Sequence, residues 1–283
     1  MQNKYMQFKK DRDMGAILSD TFSFFRQNFK PLFRNIFKIS GPSFLLLLAA
    51  LTYYSYIVSG GLSPATLIQN NTAEFSIAFL VFAFAILIFY SSLYATVLHY
   101  IKSYVAHNGV VQEDEIKQGH KKDFGKLLLY FIVSAILVIA GLFVFIIPGI
   151  YMMVPLSIGT AVMVFEEESL TETISSCLHY IKDNWWHTFI TLFLFGILIY
   201  VIGYIFQLPA VIYTVMGIFT GSREISAATA EPDWIFVILN VIGSTANYLL
   251  ATISVICIAF IYFSLNEKKN FTGTYENIDN LGN

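Results

Sequence analysis

Charged residues are scarce in this chain of 283 residues and make up only 13% of it. Soluble domains carry about 25% charged residues, and 56% of this chain is hydrophobic, so an ordinary soluble fold is excluded. The two cysteines are too few for a disulfide framework and form no CxxC motif. The net charge of −2 gives no reason to expect a nucleic-acid partner. The composition therefore predicts an all-α polytopic membrane protein.

Long uncharged runs predict six membrane helices in this chain. The central two form an apolar hairpin over 127–147 and 150–165, with Pro148-Gly149 at the bend, and a bilayer needs roughly 20 helical residues per crossing. The other four predicted helices are 39–59, 75–98, 188–219 and 234–265. The fifth helix is longer than one crossing requires, and we expect it to break at Pro209 with 210–219 along the outer interface.

The N-terminal region is predicted to be an interfacial helix. Residues 1–13 are polar and expected to be mobile, whereas from Met14 a helical period sets a phenylalanine-rich face against a basic one. Pro31 is expected to break or kink this helix near 28–30. The basic face suits contact with anionic lipid, although docking on neighbouring helices would explain the same pattern. The candidate headgroup contacts are Arg26, Lys30, Arg34 and Lys38.

The distribution of basic residues predicts the orientation of the chain. If the N-terminus is cytoplasmic, sixteen of the seventeen Lys and Arg residues lie on the cytoplasmic side and only Arg223 lies outside. This asymmetry follows the positive-inside rule. We expect the cytoplasmic (inner) membrane of a bacterium, crossed six times, with both termini in the cytoplasm.

An internal repeat is suggested at an offset of 156, where 17–33 aligns with 173–189. Both segments stand immediately before a helix that leaves the cytoplasm. The simplest interpretation is one membrane domain over 1–283, made of three hairpins that are each preceded by an interfacial segment. The units would be 14–98, 112–165 and 169–265, followed by a polar tail over 266–283. Common constraints at three membrane borders are the alternative.

Three segments resemble a known family. They are DMGAILSDTFSFFRQNF at 13–29, IPGIYMMVPL at 147–156 and TISSCLHYIKDNWW at 173–186, with the acidic run 166–168 between the last two. Together they resemble the membrane domain associated with glycerophosphoryl diester phosphodiesterases, which also occurs in stand-alone six-helix bacterial membrane proteins of unknown function. In fused relatives the activity resides in a soluble barrel of about 200 residues or more. The resemblance therefore implies a membrane fold and no enzyme activity.

Two candidate sites follow from the residues. A structural motif joins Pro148 and Gly149 of the hairpin to Glu166 and Lys182, where a surface ion-pair network is favoured over a hidden hydrolase. A polar stripe on the sixth helix favours close helix packing over a substrate path. The stripe consists of Asn240, Gly243, Asn247 and Ser254. Four histidines, at 99, 107, 179 and 187, are interpreted as interfacial, and no metal or other cofactor is expected.

These features favour a non-enzymatic membrane scaffold or accessory protein that contacts the cytoplasmic leaflet. Its expected partners are membrane lipids and other membrane proteins. A transporter or lipid-handling protein for a neutral or amphiphilic substrate is the alternative, because repeated units and broken helices occur in transporters. An enzyme acting on lipid is the third hypothesis. The predicted spans hold no Asp, Glu, Lys, Arg or His, which argues against an ion-driven pump.

Overall fold

The computed structural model describes residues 5–59, 72–220 and 233–281. It is all-α, with 89% helix and no strand in these ranges. The ten helices found there are α1 (Met14–Ile39), α2 (Gly41–Ser59), α3 (Thr72–Ala106), α4 (Glu113–Val144), α5 (Ile146–Ser157), α6 (Gly159–Phe165), α7 (Leu170–Ile181), α8 (Trp185–Phe219), α9 (Trp234–Asn270) and α10 (Thr272–Leu281). Most of the predicted outer loops 60–74 and 221–233, including Arg223, lies outside the described residues.

Six helical stretches in the described ranges are long and apolar enough to cross a bilayer. Helices suit that environment because they pair their backbone polar groups internally. The stretches are Gly41–Ser59, Ala73–Ala106, Glu113–Phe143, Ile146–Phe165, Trp185–Phe219 and Trp234–Asn270. The prediction of a polytopic all-α membrane protein is confirmed.

The helices form two compact units. The first contains the described residues of 5–40, 91–196 and 252–281, and the second those of 41–90 and 197–251. Helices α3, α8 and α9 each contribute one part to each unit. The predicted division into three repeated hairpins stays a prediction.

The first unit is organised around one face of α1. Asp13 caps this helix by accepting a hydrogen bond from the Ala16 backbone N–H at 2.7 Å. The Phe24 ring lies 6.4 Å from that of Tyr100 on α3 and 6.2 Å from that of Phe260 on α9. Helical spacing therefore turns one stripe of α1 toward α3 and α9. The buried apolar residues of that stripe are Ile17, Phe24, Leu32 and Ile36.

Residues 5–13 pack into the first unit, so the prediction of a mobile N-terminal segment is wrong for them. Phe8 is fully buried and stacks on Phe260 with ring centroids 4.4 Å apart. The buried Arg12 side chain pairs through Nε with Asp20 at 2.8 Å and lies over the Phe260 ring. One aromatic anchor and one buried arginine produce no periodic pattern, which is why sequence reasoning missed them.

The bend of the central hairpin is at Phe145 rather than at Pro148-Gly149. Helix α4 ends at Val144, Phe145 is extended (φ −158°, ψ 146°), and α5 begins at Ile146. Pro148 fits the first turn of α5 because N–H groups there have no intrahelical acceptor. Gly149 allows close approach of α4, since a Cβ there would lie 2.7 Å from the Leu142 backbone nitrogen.

Neither Pro31 nor Pro209 breaks its helix. Helix α1 is continuous through Pro31, and α8 is one helix of 35 residues that includes Pro209. The predicted break at Pro209 is therefore wrong, and a break at Pro31 is excluded as well, whereas a kink at Pro31 stays a prediction. Proline removes a single backbone hydrogen bond, and the turns on either side keep theirs, which suffices in helices held by packing on one face or by an apolar environment.

The second unit is held by aromatic contacts of α2. Tyr54 stacks on Phe82 of α3 at 5.0 Å, and Phe44 lies 5.4 Å from Phe89 of the same helix. Tyr56 lies 5.3 Å from Trp234 at the start of α9. These rings join α2, the first part of α3 and the first part of α9 into one packed layer.

Candidate functional site

A cleft of about 830 Å³ lies in the first unit. Its walls combine aromatic, amide and ionisable side chains, the mixture that is typical of sites for small amphiphilic ligands. The aromatic residues are Tyr5, Phe165, Tyr180, Tyr262 and Phe263. The ionisable and amide residues are Lys9, Lys102, Glu166, Asn108, Asn266 and Asn270.

A hydrogen-bond network centred on Glu166 lines one wall of this cleft. The Tyr180 hydroxyl donates to Glu166 Oε1 at 2.6 Å, and the Tyr262 hydroxyl donates to the same oxygen at 2.9 Å. Asn270 donates to the Tyr180 hydroxyl at 3.1 Å, and Asn266 donates to that of Tyr262 at 3.2 Å. The amides thus orient the phenols, and the phenols orient the carboxylate.

Local backbone structure brings these groups together. Helix α6 ends at Phe165, and Glu166 closes it through its N–H to the Val162 carbonyl at 2.9 Å. The capping box of Ser169 and Glu172 then starts α7. Helix α7 presents Tyr180 at its C-terminal end, where it meets Tyr262 of α9 at a ring distance of 6.0 Å.

The next carboxylate, Glu167, pairs with two lysines from other helices. Lys102 of α3 donates to Glu167 at 2.8 Å and Lys122 of α4 at 2.6 Å. These two hydrogen bonds, first from Lys102 and then from Lys122, lower the pKa of Glu167 to about 2. The Lys102 ammonium also donates to the Val164 carbonyl at 2.9 Å, which fixes it at the end of α6.

The third carboxylate, Glu168, lies in a less polar setting. Ser176 donates to it at 2.7 Å, and its Oε2 is buried without a hydrogen-bond partner. Burial raises the pKa of Glu168 against the opposing hydrogen bond from Ser176. Burial and then the Glu166 carboxylate also raise the pKa of Tyr180, so that phenol stays a donor at neutral pH.

The predicted motif of Pro148, Gly149, Glu166 and Lys182 is not one cluster. An ion-pair network does form at the acidic run, but Lys102 and Lys122 are its lysines, and Lys182 makes no ion pair with it. Glu166 instead binds two phenols. Sequence spacing could not find most of these partners because they are distant in the chain. Lys102 and Lys122 lie 65 and 45 residues from Glu167, and Tyr262 lies 96 residues from Glu166.

A buried His–Asp pair is a second polar cluster, which the sequence did not indicate. His99 Nε2 lies 2.9 Å from Asp123 Oδ2, and their side chains are only 8% and 2% exposed. His99 is therefore buried in protein, and its interpretation as an interfacial histidine stays a prediction. Gly119 makes room for the His99 ring, because a Cβ there would overlap it.

A chain of hydroxyls continues beside this pair. His120 Nε2 lies 2.9 Å from Ser92 Oγ, which donates to Ser40 Oγ at 2.9 Å. Ser40 and Thr96 are also 2.9 Å apart. The chain satisfies buried polar groups where α1, α3 and α4 meet. In the described ranges, no group of three or more His, Cys, Asp or Glu residues is arranged to hold a metal ion.

The candidate headgroup contacts on α1 fall into two pairs. Arg26 and Lys30 are exposed. Lys38 forms an ion pair with Glu113 at the start of α4, and Arg34 lies 4.0 Å from the same carboxylate. Beside them a ladder of rings runs along α1 with the centroids of successive rings 4.6 to 5.9 Å apart. We call these residues, Phe25, Phe29, Phe33 and Phe37, the phenylalanine ladder.

Three members of the predicted stripe on α9 lie in the second unit. Asn240 accepts from Gln207 at 2.7 Å and donates to Ser55 at 2.9 Å. Asn247 donates to the Gly203 carbonyl of α8 at 3.2 Å. Ser254 belongs to the first unit. The amides therefore serve hydrogen bonds between helices, as close packing in a membrane requires.

Fold and site together define an integral membrane protein with an amphiphilic cleft in its first unit. Comparison of the chain with protein-family models, with curated proteins and with solved structures finds no match. The function is therefore argued from the geometry.

Proposed function

We propose that this chain is a non-enzymatic membrane scaffold or accessory protein that grips one leaflet through α1. The phenylalanine ladder carries the proposal. Phe29 and Phe37 are 47% and 49% exposed although α1 is packed in the first unit by its other face. Two exposed rings alternating with the half-buried rings of Phe25 and Phe33, flanked by cations, suit binding to an anionic membrane surface.

The faces of α1 explain how one helix can dock on protein and contact lipid. Ile17, Phe24 and Leu32 are buried in the first unit. The ladder follows next around the helix, and Arg26 and Lys30 lie beyond it. In this arrangement the rings enter the acyl boundary while the cations stay at the level of lipid phosphates. Contact with anionic lipid and docking on neighbouring helices, the two interpretations of the sequence pattern, are therefore compatible.

The orientation completes the proposal. We place the sixteen basic residues and both termini in the cytoplasm of a bacterium, with the spans in its inner membrane. Anionic lipids of the cytoplasmic leaflet would then face Arg26 and Lys30. The resemblance of 13–29, 147–156, 166–168 and 173–186 to the membrane-domain family implies a membrane fold, and lipids and membrane proteins are the partners that this role requires.

Site-directed spin labelling tests the contact of α1 with the leaflet. In nanodiscs containing phosphatidylglycerol, a label at Phe29→Cys should be relaxed more by oxygen than by a water-soluble nickel complex. A label at Gln27→Cys, roughly 160° around the helix, should show the reverse. The double variant Arg26→Gln/Lys30→Gln should make position 29 more accessible to nickel. Equal nickel accessibility at 27 and 29 would contradict the proposal.

Lipid handling is a second candidate function, favoured by the cleft. Its volume of about 830 Å³ is within the range of ligand sites, and its lining is amphiphilic. Reconstituted protein should then speed the movement of a fluorescent phospholipid between leaflets, and a rate equal to that of protein-free vesicles would count against it.

A further inference from the structure

The cleft of the first unit carries both signs of charge. Glu166 contributes a carboxylate, and Lys9 and Lys102 contribute ammonium groups. A purely anionic ligand would meet Glu166, and a purely cationic one would meet two lysines. Charge complementarity therefore favours a ligand that carries both signs.

The wall around Glu166 suits an ammonium group. Two phenols donate to Glu166 Oε1 and hold the carboxylate in place. Five aromatic residues line the same cleft, and aromatic faces attract cations within about 6 Å of the ring. An ammonium that enters here meets a fixed negative charge in a cleft lined by aromatic side chains.

Lys102 suits an anionic oxygen. Its ammonium has three N–H donors, of which one binds the Val164 carbonyl and one binds Glu167. The third is left for a ligand in the cleft. Because the other two bonds fix the nitrogen, little side-chain entropy is lost when an oxygen binds.

We propose that this cleft binds a zwitterionic phosphate ester, with its ammonium at Glu166 and its phosphate at Lys102. The phosphoethanolamine group has this chemistry, either as the headgroup of a phospholipid or as a free molecule. Phe165 ends one of the six apolar stretches, so the cleft lies where a headgroup would be. The inference does not rest on the proposed role of α1.

Native mass spectrometry of the full chain tests the proposal. Protein should be released from nanodiscs of phosphatidylethanolamine and phosphatidylglycerol, and the retained lipid counted. Wild type should retain phosphatidylethanolamine in preference to phosphatidylglycerol. Glu166→Gln should weaken that retention roughly tenfold or more, because a charged hydrogen bond is lost, and leave phosphatidylglycerol unchanged. Asp114→Asn removes an exposed carboxylate outside the cleft and should change nothing.

A second arm separates the two sources of the ligand. Free phosphoethanolamine should raise the melting temperature of wild type but not of Glu166→Gln. If free phosphoethanolamine binds and displaces the phospholipid, the ligand is the phospholipid headgroup. If free phosphoethanolamine binds but the phospholipid does not, the ligand is the soluble ester. Should Glu166→Gln fail to fold, Tyr180→Phe keeps the ring and should weaken binding. Failure of both ligands to bind, or unchanged binding in these variants, overturns the proposal.

Discussion

Glu167 adopts a backbone conformation that L-residues usually avoid. Its φ of 59° places it in the left-handed region just after α6, where glycine is the common residue. The left-handed conformation costs roughly 1–2 kcal/mol for a residue with a Cβ. Two lysines from α3 and α4 bind its carboxylate. These ion pairs connect the end of α6 to α3 and α4 and offset the backbone strain.

We expect Glu167→Gln to reduce the acid sensitivity of the protein. The Glu167 pKa is about 2 when folded and about 4.3 when unfolded. A depressed pKa stabilises the fold above the unfolded value, and that contribution is lost as pH falls from about 5 toward 2. Since Glu167 is 53% exposed, its ion pairs contribute at most about 1 kcal/mol to the free energy of unfolding.

Thermal unfolding in detergent between pH 7 and 3 checks this prediction. Wild type should lose more stability on acidification than Glu167→Gln, and Lys122→Gln should fall between them. Asp114→Asn, which removes a carboxylate that pairs with Lys117 and is 87% exposed, should follow wild type. Parallel pH curves for wild type and Glu167→Gln would show that the lysine pairs do not stabilise the fold.

Cys177 should be inert toward maleimide in the folded protein. It is fully buried, and burial followed by the carboxylates of Glu168 and Glu166 raises its pKa to about 12. Thiolate is the reactive form, and Cys257 is also buried. Mass spectrometry should show no adduct before unfolding and two afterwards. Ser175→Cys, at an exposed position of α7, should react quickly, and equal reactivity of the native thiols would contradict the buried placement.

At the scale of elements, glycine decides how closely α8 and α9 approach in the second unit. A Cβ at Gly243 would lie 2.5 Å from Gln207 Oε1 and 2.8 Å from the Phe206 carbonyl oxygen. Gly243→Ala should therefore force the helices apart and lower the free energy of unfolding by about 1–3 kcal/mol. Gly196→Ala is the matched control on α8, because nothing lies within 4 Å of its Cβ position.

Unfolding by denaturing detergent, followed by circular dichroism, measures both glycine variants. Gly196→Ala should leave the transition unchanged or move it slightly upward, since alanine favours helix over glycine by up to about 1 kcal/mol. Equal transitions for Gly243→Ala and Gly196→Ala would mean that α8 and α9 are not in close contact at this point.

Helix existence was predictable from sequence because uncharged runs of bilayer length have few alternatives. The ends of the helices were harder to predict, because proline occurs both at helix starts and at helix breaks. Pro148 lies in the first turn of α5, whereas α8 passes through Pro209. The break falls at Phe145, a residue with no local signal for one. The cost of a missing backbone bond depends on neighbouring helices, which local sequence does not reveal.

At the scale of the whole molecule, most of what sequence reasoning missed at the site consists of contacts between different helices. Glu166 was identified as a candidate, but its partners Tyr180 and Tyr262 come from α7 and α9. The His99–Asp123 pair likewise joins two helices. Such pairs depend on which helix faces lie together, and hydropathy specifies only that a stretch is apolar enough to span a membrane.

The N-terminal segment shows the same dependence on long-range contacts. The Arg12 backbone N–H donates to Ser264 Oγ of α9 at 3.0 Å, across 252 positions of the chain. Phe8 lies against Phe24 of α1 at 5.1 Å as well as against Phe260. A short non-helical segment thereby ties the beginning of the chain to its last long helix within the first unit.

Phe8→Ala should consequently lower the free energy of unfolding by about 3–5 kcal/mol, the range for a buried phenylalanine. It should also expose Lys9 and Lys10 to trypsin, because the ring that holds the segment in place is gone. Gln7→Ala alters an exposed neighbour and should change neither quantity. Limited proteolysis and detergent-induced unfolding measure the two effects. If trypsin cleaves wild type and Phe8→Ala at the same rate, Phe8 is not the anchor, and the segment must be held by Arg12 and its partners alone.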